Sequence, residues 1–205
     1  MAARPKDSAG ATRPPAGRPV KERLLRVATR LFARHGFEGT SVQDIVDAAG
    51  VTKGAMYHYY GSKDDLLYEV YHQLLTLQMT RLTDIVKGSG SAEDRLRAAA
   101  IDVVESSLAN LDDLIVFFRS LHMLPADRQT QVRAERRAYH DQFRGLVEEG
   151  MAAGSFRTAV PADVAVHYFL SSVNQLGVWF KPDGPLTARQ VGEQYAELLV
   201  GGLRA

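Results

Sequence analysis

The chain has no cysteine among its 205 residues. That excludes a disulfide framework, a thiolate nucleophile and a cysteine zinc site. No apolar run approaches the roughly 18 residues a membrane span requires. The N-terminus has no apolar core of the signal-peptide kind. No membrane partner is therefore expected, and a cytoplasmic location is the default. Alternating strand patterns and sequence repeats are also missing, so the expected fold class is all-α. Gly88-Ser89-Gly90 is neither preceded by a strand nor followed by Gly-Lys-Ser/Thr, so it is no phosphate loop. No Ser/His/Asp signature or paired catalytic carboxylate motif stands out. His122, His140 and His167 match no metal-ligand spacing. Neither an enzyme, a cofactor nor a metal is expected.

Net charge is only +1 over the whole chain, but it is unevenly placed. Residues 1–63 hold 11 Lys and Arg against 5 Asp and Glu, a surplus of +6. The remainder holds 14 against 19, or −5. A basic N-terminal part on an acidic body is expected where the first part meets phosphate and the second does not. Basic tails are also common in themselves, and Arg4, Lys6, Arg13 and Arg18 supply four of the charges. The length suits one large domain or two small ones, and 45% hydrophobic content is ordinary for a globular protein.

What is present centres on TSVQDIVDAAGVTKGAMYHYYGSK, from Thr40 to Lys63. Thr40 is the expected N-cap of a short helix, with Gln43 completing a capping box. Val42, Ile45, Val46 and Ala49 recur at helical spacing, and Gly50 is the natural stop. Thr52 then caps a second helix, about Lys53 to Tyr60. Its buried stripe is only Met56 and Tyr60. The remaining positions are Lys53, Gly54, Ala55, Tyr57, His58 and Tyr59. These are small groups, hydrogen-bonding groups and one cation, which suit close approach to base edges and phosphates. A solvated helical hairpin more often alternates Glu and Lys. The pattern reads as a helix-turn-helix whose second helix enters a DNA major groove.

The remaining chain reads as helices. Residues 1–18 are rich in Ala, Pro, Gly and Arg and read as a disordered basic arm. Pro19 opens a helix to about His35, with Leu24, Leu25, Val27, Ala28, Leu31 and Phe32 as its apolar stripe. Ser62 caps a helix from Lys63 to about Lys87, some 37 Å long at 1.5 Å per residue. Further helices are expected over about 92–108, 111–124, 127–153 and 161–180. The last, after a loop at Lys181–Pro185, is capped by Thr187 with Gln190 and runs to about Leu203. The domains follow as an arm at 1–18, a DNA-binding domain at 19–66 and a ligand-binding and dimerisation domain at 67–205.

The segment VTKGAMYHYYGSK from Val51 to Lys63, preceded by TSVQDIVDAAG and by LFARHGFEG from Leu31, resembles the DNA-binding domain of TetR-family bacterial transcription regulators. The resemblance implies a dimeric, ligand-controlled repressor that binds palindromic double-stranded DNA operators, one recognition helix per half-site. Carried over position by position, Lys53, Gly54, Ala55, Tyr57, His58 and Tyr59 face the groove. Tyr57 and Lys63 hold phosphates, and Thr40, Ser41 and Gln43 sit at the amide-rich start of the preceding helix. WFKPDGPLT from Trp179 to Thr187, with RQVGEQY from Arg189 and LVGG from Leu199, resembles the end of acyl-CoA-responsive members that govern fatty-acid and steroid breakdown.

The same resemblance implies a homodimer through the last two helices, with Ala165, Ser171, Ser172, Gly177 and Ala196 allowing close approach. An effector pocket is expected within the bundle between about 92 and 180. Its candidate lining residues are Phe117, Phe118, Leu121, His122, Tyr139, Phe143, Tyr168, Asn174, Gln175 and Trp179, an apolar set with a few polar anchors. The competing reading is that the aromatics are simply core. The expected effector is an acyl-CoA thioester, with a lipophilic drug-like compound as the alternative. Arg119, Arg128, Arg133, Arg136, Arg137 and Lys181 are available to hold CoA phosphates. An all-helical carrier or enzyme is the remote alternative.

Overall fold

Periodicity at helical spacing becomes ten α-helices in the computed structural model, which describes residues 19–205. The arm expected over 1–18 lies outside them. In order, they are α1 (Val20–His35), α2 (Val42–Ala49), α3 (Lys53–Tyr59), α4 (Lys63–Val86) and α5 (Ala92–Ala109), then α6 (Leu111–Arg119), α7 (Ala126–Ala152), α8 (Ala162–Asn174), α9 (Leu176–Trp179) and α10 (Ala188–Leu203). A 3-10 turn, Leu121–Met123, links α6 to α7. The sole β pairing among the described residues is an isolated bridge between Phe156 and Arg204. No described helix is long and apolar enough to cross a membrane.

Most expected caps are present. Ser62 and Thr187 each accept a backbone N–H in the first turn they precede, as Ser91 also does, and Thr187 with Gln190 forms a full capping box. Gly50 ends α2 in the left-handed region at φ 62° and ψ 44°. Two expected helices are interrupted. The 111–124 helix stops at Arg119, where Ser120 is buried. The 161–180 helix breaks at Gln175, whose N–H bonds back to Ser172 and Val173 before α9 starts. The cap of α2 is Ser41, not Thr40. Ser41 Oγ accepts from the Asp44 N–H, and the Asp44 carboxylate accepts from the Ser41 N–H at 2.8 Å. Thr40 is buried instead, its hydroxyl donating to the Gly36 carbonyl at 2.8 Å.

Two apolar cores result. One joins α1, α2 and α3 (Leu24, Ala28, Phe32, Ile45, Val46, Met56, Tyr60) to the first half of α4 through Leu75. It also takes in Val116, Phe117, Leu124 and Val132. The other packs Leu82 with α5, α7, α8 and α10. The helix α4 thus contributes to both. Gly192 sets the α5–α10 approach, because a Cβ there would lie 3.2 Å from the Ile101 carbonyl oxygen. In the α4–α6 contact, the Tyr71 hydroxyl donates to the Phe117 carbonyl at 2.8 Å and lies 3.2 Å from that of Val116.

Candidate nucleic-acid interface and effector cavity

α3 is held by its ends. Thr52 Oγ1 accepts from the Ala55 N–H at 3.1 Å. Met56 is fully buried, and the Tyr60 hydroxyl donates to the Lys21 carbonyl at 3.3 Å. Burial pushes the Tyr60 phenol above its usual range, so it remains a neutral donor. With that side anchored, Lys53, Gly54, Tyr57, His58 and Tyr59 all face outward, and Ala55 is half-buried. His58 and Tyr59 meet edge to face, with centroids 5.0 Å apart. A Cβ on Gly54 would meet nothing closer than Thr52 Oγ1 at 3.8 Å, so the fold itself does not require glycine there.

The flanking residues behave differently. Ser41 and Gln43 are exposed beside this face, with Gln43 Nε2 donating to Asp47 at 2.7 Å. Thr40 is enclosed in the loop. Lys63 points inward: its ammonium donates to the carbonyls of Phe37 and Thr40 at 2.8 and 2.9 Å and lies 4.1 Å from the Phe37 ring centroid. It clamps the α1–α2 loop to the start of α4.

A cavity of ≈ 460 Å³ opens between α4, α5, α6, α7 and α8. Its apolar wall includes Leu74, Leu75, Val103, Leu114, Phe117 and Val173. Within it, Gln78 and Ser107 are buried and joined by a 3.2 Å hydrogen bond. Its other side carries Arg133, Arg136, Arg137 and Arg144, all on α7. Arg136 lies 5.2 and 5.6 Å from the ring centroids of Phe117 and Phe118, and desolvation lowers its pKa. Arg133 leans on Gln129, and Arg144 pairs with Asp141 and Glu148.

Of the sequence candidates for the pocket, Phe117, Phe118, Tyr139 and Asn174 line this cavity. Phe143 is wholly buried core, its ring tilted against those of Tyr139 and Phe169. Leu121 packs on the N-terminal core, and His122 is exposed in the 3-10 turn. Tyr168, Gln175 and Trp179 lie on the outer face of α8 and α9, with Tyr168 76% exposed. Ala165 and Ala196, expected at a dimer seam, are buried within their own chain. Sequence reasoning placed the pocket after residue 92 and so missed Leu74, Leu75 and Gln78 on α4. The available signal was Gln78 itself, an amide at a core position of an otherwise apolar stripe.

Two family models match this architecture. "Bacterial regulatory proteins, tetR family" covers residues 24–70, and "Tetracyclin repressor-like, C-terminal domain" covers residues 89–203. The HTH-type transcriptional repressor KstR2 of Mycolicibacterium smegmatis is 32% identical, covering 89% of this chain and 90% of that protein. The structure of the ketosteroid transcriptional regulator KstR2 of Mycobacterium tuberculosis superposes with a TM-score of 0.85 at 25% identity, over 92% of this chain and 97% of that one. The structure of AibR in complex with isovaleryl coenzyme A and operator DNA superposes at 0.77 with 27% identity, over 91% and 98%. An outward-facing recognition helix, an all-helical bundle and family models spanning both parts converge: the chain belongs to the TetR family of bacterial transcriptional repressors, DNA-binding regulators and not enzymes.

Proposed function

We propose that this repressor binds a palindromic operator as a homodimer and releases it when an acyl-CoA thioester enters the α4–α8 cavity. The observation that carries the effector class is the two-sided cavity. An acyl chain needs an apolar wall, and Leu74, Val103, Leu114 and Val173 supply one. The CoA phosphates need cations, and Arg133, Arg136 and Arg137 stand along α7 at the cavity. Gln78 and Ser107 offer the hydrogen-bonding pair that a buried acyl oxygen requires. A volume of 460 Å³ suits a bulky acyl group, within the range of ordinary ligand pockets. The relatives named for ketosteroid regulation and the neighbour holding isovaleryl coenzyme A support the same class.

On the DNA side, Lys53, Tyr57, His58 and Tyr59 reach bases and phosphates. Gly54 and Ala55 let the backbone approach, and Ser41 and Gln43 contact the flanking phosphates. Coupling runs through α6. Phe117 lines the cavity, its carbonyl holds Tyr71 of α4, and α6 packs on α1. An acyl group against Phe117 moves α6, and with it α1 and the reading head. Release requires that the ligand bind the two arrangements with different affinity.

A thermal-shift panel of CoA thioesters against their matching free acids tests this. At a hundredfold excess over Kd, the cognate thioester is expected to stabilise the protein by about 2.7 kcal/mol. That is a rise of roughly 5–10 °C at this size. Free acids should give none, and R136A/R137A should remove most of the shift. Equal shifts from acids and thioesters would reject the CoA reading in favour of a lipophilic effector.

A further inference from the structure

Three side chains at the cavity have no part in the reading above. His140 comes from the middle of α7, and Asp163 and His167 from successive turns at the start of α8. One ligand atom from each lies within 4.8 Å of the other two. His140 Nε2 is 3.7 Å from one Asp163 carboxylate oxygen, and His167 Nε2 is 3.6 Å from the other. Both separations exceed a hydrogen bond. Each is near the ~3.4 Å spacing of two donors that share a tetrahedral ion at 2.0–2.1 Å, one measured to each carboxylate oxygen. The His140 side chain is only 12% exposed, and its Nε2 is buried without a hydrogen-bond partner. Such an atom is costly to leave unfilled.

We propose that His140, Asp163 and His167 form a site for a divalent transition-metal ion, with zinc the ion that two imidazoles and a carboxylate suit best. The surroundings favour it. Asp141 lies 3.7 Å from His140 Nδ1, beyond hydrogen-bond reach but close enough to place negative charge beside the ring. The nearby Arg144 is already matched by Asp141 at 3.3 Å and Glu148 at 3.4 Å. All three ligands line the cavity, so the ion's remaining position opens into it. The ion ties α7 to α8 at the cavity wall. On α8, Asp163 and His167 share this face, while Val164 and Tyr168 point outward. The proposal stands apart from the thioester reading, since the ion binds with or without an effector.

Zinc titration into the full-length protein, stripped of metal and read by calorimetry at pH 7.5, decides it. One ion per chain is expected. H140A and H167A are each expected to weaken it at least about tenfold, since even second-shell changes cost that much. Cobalt substituted for zinc should show the visible bands of a tetrahedral ion, lost in both variants. The His167 side chain is 68% exposed, so H167A should melt with the parent protein in chelator. No binding at micromolar zinc would overturn the site. So would unchanged binding in H140A/H167A, which would place the ion on other histidines.

Discussion

Lys53 and Lys63 carry the same ammonium into different surroundings. Lys53 stands exposed in the first turn of α3. Lys63 is half-buried and gives two charge-assisted hydrogen bonds to the carbonyls of Phe37 and Thr40. Such bonds each contribute about 1.5–3 kcal/mol, and part is recovered when water reaches the carbonyls. K63M is therefore expected to destabilise the protein by about 1–3 kcal/mol, a fall of several degrees in Tm. K53A/Y57A should leave Tm within about 1 °C and abolish specific operator binding in a fluorescence-anisotropy titration. An unchanged Tm in K63M would return that lysine to the phosphate-binding set. The family resemblance put both lysines on DNA, Lys53 in the groove and Lys63 on phosphate, because burial of one ammonium depends on where the Phe37–Thr40 loop folds. The same loop moved the cap of α2 by one residue. Thr40–Gln43 and Ser41–Asp44 both have capping-box spacing, and only the hydrogen bond from Thr40 to Gly36 selects the second.

At the scale of elements, helix existence was legible from apolar period and caps, and helix interruption was not. Nothing local near Gln175 demands a break. α9 turns away where Gly177 meets α6, a Cβ there lying 3.2 Å from Ile115 Cγ1. Contact with α6 is tertiary information. α6 itself joins cavity to reading head on a weak start, since Asn110 makes no side-chain cap. Asp113 in its first turn shows the tension. Burial raises its carboxyl to about 6 from 3.8, a hydrogen bond with its own amide opposes the rise, and Asp112 adds to it. A folded pKa above the unfolded one means the contribution to stability is fully present below pH 3.8 and is lost as pH rises through about 6. At pH 7.5 the ionised group weakens the fold by an amount bounded near ~3 kcal/mol, from 1.36 kcal/mol per unit. D113N, which keeps the neutral shape, should raise Tm by several degrees at pH 7.5 and hardly at all at pH 4. Equal effects at both pH values would mean that charge burial is not the cause.

At the scale of the molecule, exposed apolar side chains mark candidate docking surfaces. Among the described residues nine large hydrophobic or aromatic side chains remain exposed. Two, Tyr57 and Tyr59, lie on α3. Six more lie between Val164 and Leu198: Val164, Tyr168, Val178, Trp179, Leu186 and Leu198, with Leu198 74% exposed. Clustering on α8, α9 and α10 favours a self-complementary interface with a second copy, set apart from the cavity face of α8. Sequence likeness pointed to these helices but assigned Tyr168 and Trp179 to the pocket. A helix's period says that it has two faces, not which neighbour each one meets. Y168E/L198E places two charges in that seam while touching no core residue. The expected result is a folded monomer in analytical ultracentrifugation, with an unchanged helical circular-dichroism spectrum. Operator affinity should then fall about 10²-fold or more, because each half-site must be captured without the effective concentration the partner head provides. K53A/Y57A should instead stay dimeric while losing the operator, separating assembly from reading. A Y168E/L198E protein that sediments as a dimer would move the interface off these helices and leave their exposed side chains to another partner.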